Sequence, residues 1–374
     1  MTAPAFTRRQ ALALLGATLA TPLARAQPQA PLRLAAAWEQ QGSFHVGLIS
    51  APQGANLPLQ TSASIDVPTR AHGLCALPDG SVLAVARRPG DWLVRWHPGR
   101  PAQPQWLWIE PDRAFNGHAI VSARGQRIYT TETDLESGAS LVGVRDARSL
   151  EKLAEWPTHG IDAHELIWDT RAPQGGAPTL IVANGGVPTA PETGRAKLRL
   201  DTMDSSLVRL HGGSGERLGQ WRLADPRLSL RHLAWSPDRA TLGIALQAEH
   251  GQMAEKDAAP VLALFDGQAL RVQPAPQATA ARMHGYGGSI AASAHGWAVS
   301  CPRANGIATY APQGGWQALV PLPQVCALAV DGTQLWAAGR AHSLQDAQAA
   351  QPLTHPHGPE LAGARLDNHW IGLA

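Results

Sequence analysis

The stretch His72-Gly-Leu-Cys-Ala-Leu-Pro-Asp-Gly80, followed by Val82-Leu-Ala-Val-Ala86, decides the fold. A histidine opens a short apolar run, an Asp-Gly turn ends it, and a second apolar run completes an antiparallel hairpin. The same pattern returns at three further histidines, namely His118, His164 and His232. Weaker copies without a leading histidine begin at Ser289 and Cys326. A unit that recurs along the chain predicts a repeat architecture.

The spacing of the copies indicates the size of the unit. Successive leading histidines are 46, 46, 68 and 52 residues apart, if the last interval is measured to His284. A propeller blade of four strands takes about 40–50 residues. The 68-residue interval contains an obvious insertion at 185–204. Further apolar runs follow the hairpins, such as 92–96 and 106–109, so each unit is predicted to be a meander of strands A, B, C and D.

The two ends of the chain complete this array. Residues 32–37, 45–49 and 64–67 have the form of strands B, C and D, and 368–373 has the form of a strand A. We predict an all-β fold over 27–374, a single seven-bladed β-propeller of four-stranded antiparallel blades. The C-terminal strand would close the ring against the N-terminal blade. Six or eight blades are the alternatives, because the outer strands of the last unit are hard to place within 339–367.

The first 26 residues have the three parts of a twin-arginine (Tat) signal peptide. Thr7-Arg8-Arg9-Gln10 precedes the apolar run Ala11–Ala20, and Ala24-Arg25-Ala26 forms a small-residue cleavage site. The pattern predicts export to the periplasm. Residues 27–374 then carry 28 basic and 29 acidic side chains, a balance that argues against nucleic-acid binding. No other apolar stretch is long enough to span a membrane.

Three cysteines remain in the exported chain, at Cys75, Cys301 and Cys326. An oxidising compartment would permit one disulfide with one thiol left over. The alternative is that all three are small residues packed on strands. Their spacing matches no metal-binding motif.

Propeller geometry brings the functional candidates to one face. Strand A lies nearest the channel, and its start lies at the same end of the blade as the B–C loop. Long polar B–C loops are predicted at 87–91, 132–139, 184–204, 247–260, 301–305 and 340–357. Long loops cost closure entropy without adding core, so their clustering at one end favours a functional face.

Histidines fall at this same face, and neutral imidazole is a common ligand of transition metals. The candidate metal ligands are His72, His118, His164, His232, His284 and His369. Two or three of them are expected to share one ion, completed by loop carboxylates such as Glu132, Asp134, Glu136 or Glu192. Glu165 is expected to point away from His164, because successive strand residues face opposite sides. The alternative role is structural, each ring hydrogen-bonding the backbone of the next blade.

The longest insertion contains a basic run that forms a second candidate site. Arg195, Lys197 and Arg199 could hold a carboxylate, a phosphate or a partner protein. A surface loop tied by its own salt bridges is the alternative. The chain has no G-x-S-x-G elbow, H-E-x-x-H pair, Walker loop or C-x-x-C-H haem site.

Several motifs resemble a known family of Tat-exported bacterial proteins, domain-of-unknown-function family 1513. They are Tyr129-Thr-Thr-Glu-Thr-Asp134, Ala163-His-Glu-Leu166, Val182-Ala-Asn-Gly-Gly186, Gly194-Arg-Ala-Lys-Leu-Arg-Leu-Asp-Thr-Met-Asp-Ser-Ser-Leu207, Arg231-His-Leu233 and Asp367-Asn-His369. The resemblance implies a seven-bladed propeller. It also implies a periplasmic role in iron handling, beside imelysin-like iron-uptake proteins and a dihaem oxidase-like, haem-containing partner. The family has no established active site, so no catalytic role is carried over.

These observations lead to one functional hypothesis and two alternatives. The hypothesis is a periplasmic propeller, without catalytic activity, that binds a metal ion or a metal-handling partner at its histidine- and loop-rich face. The metal would be iron or copper, with iron favoured, in iron uptake or homeostasis. The first alternative is a metal-assisted enzyme, a lactonase-like hydrolase or an oxidoreductase. The second is a protein-interaction scaffold that uses the insertion.

Overall fold

A computed structural model describes residues 32–51, 56–100, 103–171, 176–188, 197 and 199–373. The predicted signal peptide, residues 1–26, lies outside these ranges. Within them, no helix has both the length and the apolar character needed to cross a bilayer. The localisation therefore stays a prediction.

The first strands follow the apolar runs expected at the N-terminal end. β1 spans Leu32–Gln40, β2 Ser43–Ala51 and β3 Gln60–Val67. All three are antiparallel neighbours, with Leu34 opposite Ile49 and Val46 opposite Ile65.

Five four-stranded antiparallel meanders come next, each one sheet. The first comprises β4 (Ala71–Ala76), β5 (Val82–Ala86), β6 (Trp92–Trp96) and β7 (Gln105–Trp108). The second comprises β8 (Arg113–Val121), β9 (Arg127–Asp134), β10 (Ser140–Asp146) and β11 (Lys152–Pro157). The third comprises β12 (Ala163–Trp168), β13 (Thr179–Asn184), β14 (Ser206–His211) and β15 (Arg217–Trp221). The fourth comprises β16 (Leu228–Trp235), β17 (Leu242–Ala248), β18 (Leu262–Phe265) and β19 (Leu270–Gln273). The fifth comprises β20 (Ile290–Ser293), β21 (Gly296–Cys301), β22 (Gly306–Tyr310) and β23 (Trp316–Pro321).

The chain ends in a sixth meander and a final strand. These are β24 (Leu328–Asp331), β25 (Gln334–Ala338), β26 (His342–Gln345), β27 (Leu353–Pro356) and β28 (Arg365–Leu373). They join the N-terminal strands in an eight-stranded sheet of order β27-β26-β25-β24-β28-β1-β2-β3. β28 pairs antiparallel with β1, as the sequence predicts for a C-terminal strand A. A single parallel bridge, Leu328 to His369, joins β24 to β28.

Short helices lie between some of the strands. α1 covers Met253–Ala258 and α2 covers Gln277–Met283. Single 3-10 turns occur at Leu200–Thr202, Pro302–Ala304 and Pro359–Leu361.

The Asp79-Gly80 hairpin shows how local sequence produces a meander. The Ser81 amide donates to Asp79 Oδ1 at 3.0 Å, and Gly80 adopts a φ of 80°, which costs glycine little. The following strand, β5, is buried along its whole length. A sheet covered on both faces needs neighbouring sheets, and stacked meanders provide them.

The hydrophobic core lies between consecutive meanders. Seven apolar clusters are formed by the described residues, and each joins the side chains of two neighbouring meanders. One of them packs Leu34, Ile49 and Trp370 at the N-terminal strands against Trp336 of the sixth meander. The first strands of successive meanders also contact one another, from β4 to β24, and β28 contacts both β24 and β4.

The structure corrects one loop prediction and answers the cysteine question. Residues 340–357, expected as a long B–C loop, contain β26 and β27, so the B–C connection is only 339–341. The polar composition of these two short edge strands hid them. Cys75, Cys301 and Cys326 are all free thiols, and Cys301 is fully buried.

Candidate metal centre

Five histidines converge where the first strands of the meanders begin. They form the histidine cluster: His72, His118, His164, His232 and His369. Each of these histidines lies in an antiparallel strand pair, and the pairing register of that strand pair shifts next to the histidine. A β-bulge re-aims side chains and interrupts the alternation of a strand. The repeated bulges turn the five rings toward one another.

The rings are close enough to share one ion. Ring centroids in the cluster lie 4.5 Å apart for His232 and His369 and 4.7 Å apart for His164 and His232. One ligand nitrogen from each of His72, His118, His232 and His369 lies within 4.8 Å of the other three. Tetrahedral nitrogen ligands at 2.0–2.1 Å from a metal are about 3.3 Å apart. Metal binding at all four atoms would therefore require the widest of these separations to shorten.

The cluster contains buried polar atoms without hydrogen-bond partners, which lowers the stability of the folded state. Among the described residues, six of its ring nitrogens are buried without a hydrogen-bond partner: His72 Nδ1 and Nε2, His118 Nε2, His164 Nδ1, His232 Nδ1 and His369 Nε2. Each such atom costs roughly 1–3 kcal/mol. A bound cation would satisfy several at once. The alternative of rings tied to neighbouring backbone leaves these six atoms unexplained.

Two rings meet nitrogen to nitrogen. Nε2 of His164 lies 3.1 Å from Nε2 of His232. Two neutral imidazoles can hydrogen-bond here only if one ring carries its proton on Nε2. A shared cation removes this restriction, because both atoms then present lone pairs.

Burial keeps the rings neutral. Desolvation lowers the pKa of all five, and the pKa of His369 falls to about 3. Other cluster rings contribute to the low pKa of His118, and the Arg231 guanidinium contributes to that of His164. Neutral imidazole is the form that binds metals.

Two carboxylates lie behind the rings. Glu165 Oε1 is 3.8 Å from His118 Nδ1, and Glu165 Oε2 is 3.7 Å from His232 Nδ1. Asp367 Oδ1 is 3.8 Å from His72 Nδ1. These distances are longer than a hydrogen bond, but a shorter carboxylate contact at one ring nitrogen would leave the other facing a metal, the arrangement common around metal-ligating histidines. Burial raises the pKa of Glu165 to about 8, and its Oε2 accepts the Leu233 amide at 2.6 Å.

The position of Glu165 corrects the sequence-based expectation. Strand alternation predicts that Glu165 points away from the site of His164. The bulge between Ala163 and Leu166 breaks this alternation. Glu165 therefore reaches the rings of two other meanders.

Glycines let the bulges approach one another. A Cβ on Gly117 would lie 2.8 Å from Cδ2 of His72, and Gly117 has a φ of 102°. A Cβ on Gly73 would lie 2.3 Å from the Gly117 carbonyl oxygen. Any larger residue at either position would displace a histidine of the cluster.

Charged side chains form a layer beside the histidine cluster. Arg70 donates from Nη2 to Asp367 Oδ1 at 2.9 Å. Arg231 Nη1 lies 2.9 Å from Asp162 Oδ2, and Arg88 also pairs with Asp162. Lys197 donates to Glu249 Oε2 at 2.6 Å, and Arg231 Nη2 lies 3.8 Å from Glu249 Oε1. These charge pairs link Lys197 and the residues next to the bulges.

The structure does not place His284 with the other predicted ligands. His284 ends α2 in a left-handed conformation, and its Nδ1 lies 2.6 Å from Asp257 Oδ1 in α1. It links the two helices. The prediction for His284 was wrong because this histidine caps the C-terminal end of α2, six residues before β20, and does not lie in a bulge of a first strand.

The other predicted site residues are dispersed. Glu132 is buried against Arg145 and Lys152, and Asp134 accepts backbone amides of its own turn. Lys197 is paired with Glu249, and Arg199 is exposed. Arg195 and Glu192 lie outside the described residues. The anion-binding role of Arg195, Lys197 and Arg199 stays a prediction.

A simple signal would have found the charged layer. Three cluster histidines have a charged residue two positions earlier, in Arg70-Ala-His72, Asp162-Ala-His164 and Asp367-Asn-His369. Arg231 directly precedes His232. Only the bulge geometry shows why these residues lie next to the rings.

The fold and the cluster define an all-β, propeller-like protein with a buried group of imidazoles. The family model "Protein of unknown function (DUF1513)" matches residues 65–373, so the chain belongs to this family, as its motifs predict. A search of curated proteins found no match. A chain from a crystal structure of a nidogen/laminin complex is 11% identical, with a TM-score of 0.50, covering 92% of this chain and 98% of that chain. Hydrazine synthase from Kuenenia stuttgartiensis is 12% identical, with a TM-score of 0.45, covering 81% and 72%. At these identities the nidogen/laminin likeness concerns the fold alone.

Proposed function

We propose that this protein is a seven-bladed, ring-closed propeller that binds one transition-metal ion, iron or copper, at the histidine cluster. The five separate sheets would be five blades, and the eight-stranded sheet would be two more. Its halves, β24 to β27 and β28-β1-β2-β3, meet through one bridge. Seven apolar clusters between neighbouring meanders support this count.

The observation that carries the metal proposal is the set of unpaired, buried ring nitrogens. Stability alone selects against such atoms, because each loses its hydration without a replacement. Five imidazoles from five different strands also meet at one point. A site that gathers neutral ligands and supports them with carboxylates has the composition expected for a divalent transition metal.

Export through the Tat pathway would place this site in the periplasm, with metal loading possible before export because that pathway carries folded proteins. Iron uptake or homeostasis is then the proposed process, with imelysin-like or haem-containing proteins as partners. The family motifs support this context. The connection between β17 and β18, whose Glu249 lies 3.8 Å from Arg231, would provide a surface for a partner.

The experiment is metal analysis of the protein purified from the periplasm, together with titration of the metal-free form. We expect about one equivalent of bound ion, lost in the double variant His118→Ala/His232→Ala. His284→Ala is the matched control, since His284 is outside the cluster and should leave binding unchanged. A wild-type protein that is isolated without metal and binds neither iron nor copper would refute the proposal.

A metal-assisted hydrolase or oxidoreductase is the second candidate. It is favoured by Glu165, a carboxylate with a raised pKa beside two cluster rings. Such a group is mostly protonated at neutral pH and can donate a proton. Turnover of a lactone or redox substrate by the metal-loaded protein would favour this candidate if Glu165→Gln abolished it at a metal concentration high enough to keep the variant loaded.

A further inference from the structure

We propose that the histidine cluster selects a divalent ion over a trivalent one, so that iron is taken as Fe²⁺ and not as Fe³⁺. This inference rests on the proposed metal site and narrows the ion it accepts. Three properties of the described residues lead to it: the donor atoms, the position of the carboxylates and the charge beside the cluster.

The donor atoms are all nitrogen. Each of the four residues whose ligand atoms lie within 4.8 Å of one another is a histidine. Imidazole nitrogen suits iron(II), copper and zinc, whereas hard cations prefer oxygen ligands. A trivalent iron ion is such a hard cation and would find four neutral nitrogens.

The nearby carboxylates are placed where they cannot easily become ligands. Glu165 and Asp367 face Nδ1 atoms, at 3.7–3.8 Å. Glu165 is also held by the Leu233 amide. Asp367 is held by both Nε and Nη2 of Arg70. Coordination of an ion by Asp367 or by Oε2 of Glu165 would break these contacts.

The charge beside the cluster also gives no advantage to a third positive charge. The described carboxylates Asp162, Glu249 and Asp367 are already paired with cations, namely Arg88 and Arg231, Lys197, and Arg70 in that order. Repulsion between like charges is strong in a buried site of low dielectric. A third positive charge on the metal is therefore compensated less here than at a site with unpaired carboxylates.

The test compares Zn²⁺ with Ga³⁺, two ions that do not change oxidation state, and adds Fe²⁺ kept reduced. Metal-free protein is titrated with Zn²⁺ and with Ga³⁺, both buffered by nitrilotriacetate, and with Fe²⁺ under anaerobic conditions. We expect Zn²⁺ and Fe²⁺ to bind at least about 100-fold more tightly than Ga³⁺, after correction for the chelator. His369→Asp adds a carboxylate to the cluster. This variant should reduce the ratio of the Ga³⁺ dissociation constant to the Zn²⁺ dissociation constant at least about 10-fold. His284→Asp, the matched control, should leave the ratio unchanged.

The outcomes separate the two proposals. Equal or tighter binding of Ga³⁺, abolished by His118→Ala/His232→Ala, overturns the selectivity and leaves the metal site standing. Failure of these three ions and of Cu²⁺ to bind overturns both. The wild-type comparison decides the matter even if His369→Asp does not fold.

Discussion

His232 offers the sharpest test of the metal site. Its Nε2 faces His164 at 3.1 Å, its Nδ1 faces Glu165 at 3.7 Å, and its ring lies 4.5 Å from that of His369. The side chain is almost fully buried. His232→Ala therefore removes a ligand from the middle of the cluster while leaving the strand in place.

In the metal-free protein the substitution should lower stability mainly through the cavity it leaves. Large-to-small changes in a core cost about 2–5 kcal/mol. Removing the ring takes away an unpaired Nδ1 but leaves Nε2 of His164 without its partner at 3.1 Å, so these two contributions of roughly 1–3 kcal/mol offset each other. We expect a net loss of about 2–5 kcal/mol in the free energy of unfolding.

In the presence of metal the two proteins should differ clearly. An ion at 100 times its dissociation constant stabilises the folded state by about 2.7 kcal/mol. For a chain of this length, that corresponds to a rise of about 4 °C in Tm. If the variant binds on the order of 100-fold more weakly, the rise falls to less than about 1 °C.

Differential scanning calorimetry of both proteins, with and without Zn²⁺, Cu²⁺ or anaerobic Fe²⁺, measures these shifts. His284→Ala should retain the full shift. The reasoning is refuted if His232→Ala shows the same metal-dependent shift as the wild type, or if the wild type shows none with any of the three ions.

Three further predictions test the surroundings of the cluster. Glu165→Gln should weaken metal binding by roughly 10–100-fold, because the rings lose their orienting carboxylate; unchanged affinity in a competition titration would contradict this. Gly117→Ala should lower the free energy of unfolding in urea by about 1–3 kcal/mol and should also lower the metal affinity. The control Gly42→Ala, with a φ of 84° and open space around it, should lower the free energy of unfolding only. Equal metal affinity in both variants would argue against a steric effect at His72. Burial, aided by His342 and Arg340, lowers the pKa of His357 to about 4. The folded state therefore binds fewer protons than the unfolded state, and its stability should fall by about 1–2 kcal/mol between pH 7 and pH 5 because of this group. His357→Gln should lose that much less on acidification, and an equal loss would remove His357 as the cause.

The repeat could be predicted from the sequence because each hairpin is specified by residues that are close together in the chain. Short apolar runs, Asp-Gly turns and leading histidines specify hairpins, and hairpins that bury both faces require stacking. β1, β2, β3 and β28 form where the sequence predicts them. The last meander was missed in part because β26 and β27 are short and polar.

The individual members of the site were less predictable. The shared register of His72, His118, His164 and His232 indicated a common location, and the structure brings these four together. His284 has the same residue type at a similar interval, yet it ends a helix and pairs with Asp257. Residue type and spacing alone do not separate these cases.

What the sequence by itself determined was the all-β class, the four-stranded unit and the set of histidines from which a site could be built. Only the tertiary structure decided which rings meet, that Glu165 lies behind two of them, and that charged residues surround them. The physical reason is the β-bulge. A hairpin depends on residues that are neighbours in sequence. The direction of a side chain at a bulge depends instead on the strand with which the bulged strand pairs and on the glycine of the next meander. Those contacts exist only after the meanders have packed.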